Sequence, residues 1–261
     1  GDGKPEKENL KKTAVAYVTA EVELRMRWSG AGAARNVHVT LSHSQAVVCS
    51  CSSLQYSQLP PEGDVPGAWY SHTVHIRAST HSVASSSLLE LHVSYVNDDN
   101  ILKTSTHTVA LPLDLLVRAV PPIRAAPHAL TLELNRSRIP PVNMIFPDVL
   151  ATGLLRFPQL SATQGNVVTL QHAHMPAHCT VIASKKGARY RLQSSHGSAA
   201  ALILQEMVDR LQLFYKYNPE YDESSEKLAV RVLEKPDVKE WFRTVNIHYN
   251  ARREHAECVA K

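Results

Sequence analysis

A period-two alternation of apolar and polar residues runs through the first half of the chain and restricts what it can fold into. In residues 20–28, AEVELRMRW, the apolar side chains of Val22, Leu24, Met26 and Trp28 alternate with charged ones. Such alternation is typical of a strand with one buried face. It recurs in NVHVTL, QAVVCSC, YSHTVHIRAS, SSLLELHVSYV and LKTSTHTVALPLDLLV, whereas the Pro and Gly content of LQYSQLPPEGDVPGAW predicts a loop. These strands, with almost no helical period between them, predict an antiparallel β-sandwich of immunoglobulin-like type.

A proline-rich stretch, RAVPPIRAAP at residues 118–127, separates this pattern from a mixed one. Its three prolines favour extended backbone and cannot donate to a β-ladder, so they predict an ordered linker or an edge connection, with a domain boundary near Ala119. The predicted organisation is therefore a disordered segment at residues 1–12, a β-sandwich at 13–118 and an α+β platform domain with a C-terminal helix at 119–261.

The second half combines strand and helix signals. HALTLELN, NVVTLQHAH and SEKLAVRVLE alternate like strands, a short helix is predicted at residues 147–154, and CTVIAS and RYRLQSS flank KKGA as a hairpin. PDVKEWFRTVNIHYNARREHAE predicts a terminal helix with Trp241, Val245 and His248 on one face. A small antiparallel sheet covered by helices is an α+β layer architecture.

The long helix of this half is predicted at residues 199–217, where the apolar spacing becomes helical. Ser195 or Ser198 is expected to cap its N-terminus, and Asn218-Pro219 to end it. The apolar stripe that is expected to face the sheet consists of Leu204, Met207, Val208, Leu211 and Phe214/Tyr215.

Composition narrows the class of protein. A chain with 44% hydrophobic and 20% charged residues is typical of a soluble globular protein, and no apolar run approaches the ~20 residues of a membrane span. The net charge of +4 comes without a dominant basic block, which argues against a nucleic-acid partner. The start GDGKPEKENLKK, without methionine, suggests a piece of a longer protein. The cysteines Cys49, Cys51, Cys179 and Cys258 form no disulfide framework, so reduced cytoplasmic thiols are expected.

One cluster contains residue types that bind metals. QHAHMPAHC contains His172, His174, His178 and Cys179, and nitrogen and sulfur ligands of this kind suit zinc if a turn brings them together. However, the chain has 14 histidines spread along its length, which produce such pairs by chance. We therefore favour histidines at strand ends, with no metal and no cofactor, and keep zinc as the alternative.

Catalytic motifs do not occur in the sequence. It contains no GxSxG nucleophile elbow and no glycine-rich phosphate loop of the GxGxxG or GxxxxGK[ST] type. The pairs Asp98-Asp99 and Glu21/Glu23 have the character of a turn and a solvated strand face. We predict no catalytic residues and no enzymatic activity.

The hairpin TVIASKKGARYRLQSS raises a different possibility, because it contains Lys185, Lys186, Arg189 and Arg191. A cationic sheet face could bind an anionic surface such as phosphoinositide headgroups. The alternative, without a bound anion, is that the lysines belong to the turn and that the arginines form a solvated or partner-facing edge. Both interpretations remain open on the sequence.

The order of a β-sandwich, a proline-rich linker and an α+β platform resembles the appendages of vesicle-coat adaptors. Within it, CTVIASKKGARYRLQSS followed by LILQEMVDRLQLFY resembles the C-terminal region of the parathyroid-hormone-responsive BBSome subunit family (the ninth Bardet–Biedl syndrome protein). LPLDLLVRAVPPIR resembles the linker of that family, and VKEWFRTVNIHYNARR the start of its closing helical region. The resemblance covers residues 111–217; for the sandwich, as a GAE-like ear, it rests on architecture alone.

The resemblance implies a non-enzymatic scaffold that supports the coat-like complex moving membrane proteins to and from cilia or flagella. The implied partners are other BBSome subunits, including a helical-repeat subunit, and indirectly the ciliary membrane and its cargo, without nucleic acid. The implied location is the cytoplasm, the basal body and the cilium, peripheral to the membrane. The alternatives are an adaptor appendage that binds short peptide motifs in a platform groove, and a membrane-surface module. Candidate protein contacts are Arg189, Tyr190, Arg191, Trp241 and Phe242, although Tyr190 and Trp241 fit the core equally well.

Overall fold

The computed structural model describes residues 19–27, 32–44, 46–59, 69–123, 126–158, 160, 165–184, 187–221, 226–234, 246–247 and 249–253. Its first part contains seven strands: β1 (Thr19–Met26), β2 (Ala34–His43), β3 (Val47–Cys49), β4 (Ser53–Leu59), β5 (Tyr70–Ala78), β6 (Leu88–Val96) and β7 (Leu102–Ala110).

These strands form two antiparallel sheets with a shared core. One sheet has the order β1-β5-β3 and the other β4-β2-β6-β7. The inward faces bury alternate side chains such as Leu24, Val39, Ile76 and Leu89. The alternation in the sequence is thus the alternation between core and solvent, and the architecture agrees with the predicted β-sandwich.

Strand β4 corrects one prediction. The loop predicted over residues 54–69 is wrong for Leu54–Leu59, which pair with β2 from Thr40↔Ser53 to Ala34↔Leu59. The prolines and glycines of the stretch begin only at Pro60, so nothing in SLQYSQL prevents a strand. Leu54 and Leu59 are buried and Tyr56 is partly buried against the core, but the step of three residues from Tyr56 to Leu59 breaks the period of two and hid the strand pattern.

The second part alternates helices and strands around one sheet. Its elements are α1 (Leu113–Leu116), β8 (Val117–Val120), β9 (His128–Leu134), α2 (Val142–Ile145), α3 (Pro147–Arg156), β10 (Val167–His172), β11 (His178–Ala183), β12 (Arg189–Ser194), α4 (Gly197–Tyr217) and β13 (Val230–Val232). All six strands pair antiparallel in the order β13-β9-β12-β11-β10-β8, as expected for the α+β platform.

Several element predictions are confirmed, and others fall outside the described residues. The hairpin β11–β12 and the short helix α3 lie where the sequence placed them. Gly187 in the hairpin turn has φ +78°, a conformation that glycine adopts without steric cost. Of the terminal helix, residues 246–247 and 249–253 are described and are helical. Trp28, Trp241, Phe242, Val245, His248 and Cys258 lie outside the described residues.

Helix α4 covers the sheet with a face slightly different from the predicted one. Met207, Leu211 and Tyr215 are buried as expected, whereas Leu204 and Val208 are only half-buried. Small and apolar residues on the neighbouring side complete the buried face: Ala199, Ala200, Leu202 and Ile203.

The predicted serine cap of α4 is wrong. The N-cap residue is His196, whose Nδ1 accepts a hydrogen bond from the backbone N–H of Ser198 at 3.2 Å. Ser195 instead accepts a hydrogen bond from the backbone N–H of His178 at 2.9 Å and so braces the strand that precedes the helix.

The proline-rich linker lies on the sheet. The boundary residue Ala119 falls inside β8, which pairs with β10. Beyond it, the backbone N–H of Ile123 donates to Thr169 Oγ1 at 3.1 Å, and Thr180 Oγ1 donates to the Ile123 carbonyl at 2.9 Å. The described part of the linker is therefore ordered, as predicted, and covers part of the sheet face opposite the helices.

Helix α3 crosses β8 at a glycine, which gives a first testable prediction. A Cβ atom added at Gly153 would lie 2.6 Å from the Cβ of Ala119. Gly153→Ala is expected to lower the free energy of unfolding by about 1–2 kcal/mol, because overpacking outweighs the gain in helix propensity. Urea denaturation measures this loss. The control is Leu155→Ala in the same helix, where the side chain is 86% exposed. Stabilisation by Gly153→Ala would contradict the close approach.

Candidate interaction surfaces

Tyr190 of strand β12 belongs to the core and offers no contact to a partner. The alternation in RYRL turns Tyr190 and Leu192 toward the helices, and both are fully buried. The phenol of Tyr190 donates a hydrogen bond to the Pro140 carbonyl at 2.5 Å, and burial raises the pKa of that phenol. Of the five predicted protein contacts this one is thus a packing residue.

The described arginines of the hairpin face the opposite side of the sheet. Arg189 is exposed and forms an ion pair with Glu133 on β9, with a separation of 2.6 Å between Nη2 and Oε1. Arg191 is exposed on the same face and has the carboxylate of Glu234 in its neighbourhood. Exposed pairs contribute at most about 1 kcal/mol to stability, but they partly neutralise the cationic face. The remaining candidates for anionic-surface binding or protein contacts, Lys185, Lys186, Trp241 and Phe242, lie outside the described residues.

The histidine-cysteine cluster is divided between the core and a turn. His172 ends β10 on the helix-covered face, where it is 2% exposed, and neither ring nitrogen has a hydrogen-bond partner among the described residues. Burial, helped by the nearby His174, lowers the pKa of His172 to about 4. His174 lies in the turn beyond the strand, so it does not continue the strand face as the sequence suggested.

The other two members of the cluster have structural surroundings. His178 Nδ1 lies 3.2 Å from the Pro176 carbonyl. Cys179 is buried, and burial raises the pKa of its thiol to about 12. In the part of the chain that the structure describes, no three His, Cys, Asp or Glu side chains are grouped to hold a metal ion.

A chain of polar contacts joins the two halves of the molecule. Ser87, the residue before β6, donates to Glu206 Oε1 of α4 at 2.5 Å, and Glu206 accepts from Arg210 Nε at 3.0 Å. Arg210 also donates to both carboxylate oxygens of Asp148, at 2.6 and 2.8 Å, and its guanidinium lies 5.2 Å from the ring centroid of Phe146. The sequence signals only the Glu206–Arg210 pair, by its i,i+4 spacing.

The sandwich contains an open groove that the sequence did not indicate. It lies between β1 of one sheet and β6 and β7 of the other, and has a volume of about 750 Å³. Apolar residues from both sheets stay accessible along this side. The sandwich groove is lined mainly by Val22, Met26, Leu91, Val93, Tyr95 and Trp69. Trp69 is 52% exposed, and the guanidinium of Arg27 lies 5.1 Å from its ring centroid.

Helix α4 is the longest described helix, with 21 residues. It is amphipathic, and its apolar face packs on the sheet. None of the helices in the described parts of the chain combines the length and the apolar character that crossing a membrane requires.

Comparison with known proteins supports the resemblance seen in the sequence. The family model of the PTHB1 platform domain matches residues 112–232, which begin just before α1 and end with β13. Protein PTHB1 of Homo sapiens is 28% identical over 158 residues, which are 60% of this chain and 16% of the relative. Protein PTHB1 of Xenopus laevis is 35% identical over 107 residues, which are 40% of this chain and 11% of the relative. The chain thus spans less than a fifth of these relatives. The predicted resemblance of the platform region is confirmed.

Proposed function

We propose, from the PTHB1-type platform domain at residues 112–232, that this chain is a non-enzymatic scaffold fragment of a BBSome subunit. Its partners would be other BBSome subunits, including a helical-repeat subunit, and through them the ciliary membrane and its cargo. Its place would be the cytoplasm, the basal body and the cilium or flagellum, where it supports the complex that carries membrane proteins. The observation that carries this proposal is the platform match, which coincides with the boundaries of a folded sheet-and-helix unit.

We further propose that the sandwich is an ear-type, immunoglobulin-like domain. Two features support this assignment: β1 neighbours β5, and β2, β6 and β7 are consecutive neighbours in the second sheet. These are the adjacencies of strands B and E and of strands C, F and G in an immunoglobulin sandwich. The domain division proposed from the sequence at residues 118/119 would move toward Leu111, because β8 pairs within the platform sheet.

The test of the scaffold proposal uses the full-length protein with an affinity tag in ciliated or flagellated cells. Other BBSome subunits, including the helical-repeat subunit, are expected to co-purify with it in fixed proportion. The same protein lacking residues 112–232 is expected to lose part of this set, since the platform would no longer contribute contacts. Recovery of peptide-bearing accessory proteins without BBSome subunits would overturn the proposal.

A second candidate function is the capture of short peptide motifs, as in an adaptor appendage. The sandwich groove favours it, although the sequence placed such a groove in the platform. Its apolar lining and its exposed Trp69 beside Arg27 are typical of surfaces where aromatic and arginine residues dominate binding energy.

Trp69 provides a test of the groove. If the groove binds peptides, Trp69→Ala is expected to weaken binding of a peptide selected by display on the wild-type chain by at least about tenfold. Ile101→Ala is the matched control, because Ile101 is equally exposed at 50% but does not line the groove. Fluorescence anisotropy measures both affinities. Equal affinities for wild type and Trp69→Ala would remove the groove from this role.

The membrane-surface alternative draws less support from the described residues. Arg189 is already engaged with Glu133, and Arg191 has Glu234 nearby. A face with paired charges attracts an anionic surface less strongly than an unpaired cationic one.

A further inference from the structure

The seam between the sandwich and the platform, which also contains the hydrogen bond from Ser87 to Glu206, is rich in cations and histidines around β8. Three segments meet there: β5 with the loop after it (residues 70–87), β8 (residues 117–120), and β10 with the following turn (residues 167–178). None of these segments contains an aspartate or glutamate. Together they contribute Arg77, Arg118 and His174, among other histidines.

A cavity of about 410 Å³ opens at this seam. It is lined by Thr80 of the sandwich and by Arg118, Gln171 and His174 of the platform, with Met175 and Pro176 at its side. Arg118 and Gln171 are directly opposite each other in the register of β8 and β10, so their side chains leave the same face of the sheet as neighbours. Hydrogen-bond donors from both halves of the molecule therefore line one cavity.

Arg118 has a hydrogen-bond donor in this cavity that is not satisfied within the described residues. Its Nε atom is buried, and within the described residues no group accepts a hydrogen bond from it. Buried donors of native proteins nearly always have an acceptor, from the protein, from water or from a bound ion. A guanidinium without a carboxylate neighbour is therefore suited to an acceptor that comes from outside the chain.

The electrostatics of His174 support an anion-binding role for this cavity. Burial is the main cause of its lowered pKa, and the charges of Arg118 and Arg77 add to the effect. Two guanidinium groups from opposite sides of the seam thus act on one imidazole. A positive potential in a partly closed cavity without carboxylates attracts anions and repels metal cations.

We propose that this seam cavity binds a phosphate-type oxyanion that bridges the sandwich and the platform. Arg118 is the principal ligand, because a guanidinium matches the geometry of a phosphate with two parallel N–H donors. The amide of Gln171 and the hydroxyl of Thr80 supply neutral donors. A second cavity of about 460 Å³, which shares Met175 and contains Ser85, His81 and His196, leaves room for the organic part of a phosphate ester.

Titration of the intact chain tests the proposal with inorganic phosphate and with inositol trisphosphate, each at constant ionic strength maintained with chloride. A saturable rise in Tm is expected with at least one of the two. Tighter binding of inorganic phosphate identifies a free ion as the ligand, whereas tighter binding of inositol trisphosphate identifies a phosphate carried by a headgroup. Arg118→Gln is expected to raise the Kd at least about tenfold. The same Tm response for phosphate and chloride would overturn the proposal.

A second variant keeps the test decisive if Arg118→Gln folds poorly. Gln171→Glu places a carboxylate directly opposite Arg118 and supplies the missing anion from within the chain. It is expected to raise Tm without added phosphate and to abolish the response to phosphate. Arg189→Gln on the same sheet, away from the seam, is the control and is expected to keep the full response. A phosphate response that survives in Gln171→Glu would also overturn the proposal.

Discussion

Tyr190→Ala is expected to lower the free energy of unfolding by about 4 kcal/mol, the typical cost of removing a large aromatic side chain from a packed core. Tyr190 is fully buried between the central strands of the platform sheet and its helices. The substitution also removes the hydrogen bond to the Pro140 carbonyl and leaves a cavity that the fixed strands β11 and β9 on either side cannot close. Guanidinium unfolding followed by circular dichroism measures the loss.

Two further variants separate packing from hydrogen bonding and from surface effects. Tyr190→Phe keeps the ring and is expected to cost only about 1 kcal/mol, the net value of one hydrogen bond. Tyr217→Ala removes a tyrosine that is 70% exposed and is expected to change stability by less than about 0.5 kcal/mol. If Tyr190→Ala behaved like Tyr217→Ala, Tyr190 would be available to a partner, as the sequence had suggested.

The strands of this protein could be predicted because most of them have one face toward solvent and one face toward the core. In β12 the alternation correctly separated Arg189 and Arg191 from Tyr190 and Leu192. Tyr190 was nevertheless assigned as a contact, because aromatic residues are common in interfaces as well as in cores. Alternation tells which side chains share a face, but not which face is covered by helices.

The sequence pattern does not predict correctly those elements that lack a strong apolar period. In β4 the inward residues Leu54 and Tyr56 are two apart but Tyr56 and Leu59 are three apart, so the period of two is broken. In α4 the contact with the sheet extends to alanines, whose small side chains allow close packing but add little to a hydrophobic stripe. In both cases tertiary packing decided the outcome over local pattern.

The surfaces that matter for binding depend on contacts between distant parts of the chain. The seam cavity requires Thr80, Arg118 and Gln171 to meet, and the sandwich groove requires residues of β1 to lie against residues of β6 and β7 in the other sheet. Neither the pairing of β8 with β10 nor the number of strands per sheet is encoded in a local motif. The absence of carboxylates from residues 70–87, 117–120 and 167–178 is visible in the sequence, but its meaning appears only when those segments come together.

His172 is expected to make the protein sensitive to mild acid. Its folded-state pKa of about 4 lies below the ordinary value of 6.5, so the folded state resists protonation more than the unfolded state does. Its contribution is fully present above the unfolded-state pKa and is lost as pH falls from there toward the folded-state pKa. Between about pH 7.5 and pH 4.5 the loss amounts to about 2.5 kcal/mol, which urea unfolding at a series of pH values measures.

His172→Leu isolates this effect, because the leucine fits an apolar site and carries no proton. The difference in stability between wild type and variant is expected to grow in favour of the variant as pH falls, with its steepest change about midway between the unfolded-state and folded-state pKa values, near pH 5. His72→Leu replaces an exposed histidine in β5 and is expected to follow the wild-type pH profile. Burial by itself would raise the pKa of Asp148, but the hydrogen bonds and the charge of Arg210 lower it overall. Acid therefore weakens the contact between Asp148 and Arg210 too. Its loss occurs near and below its ordinary pKa of 3.8 and is the same in all three proteins. A constant difference between wild type and His172→Leu would show that His172 can be protonated within the folded structure.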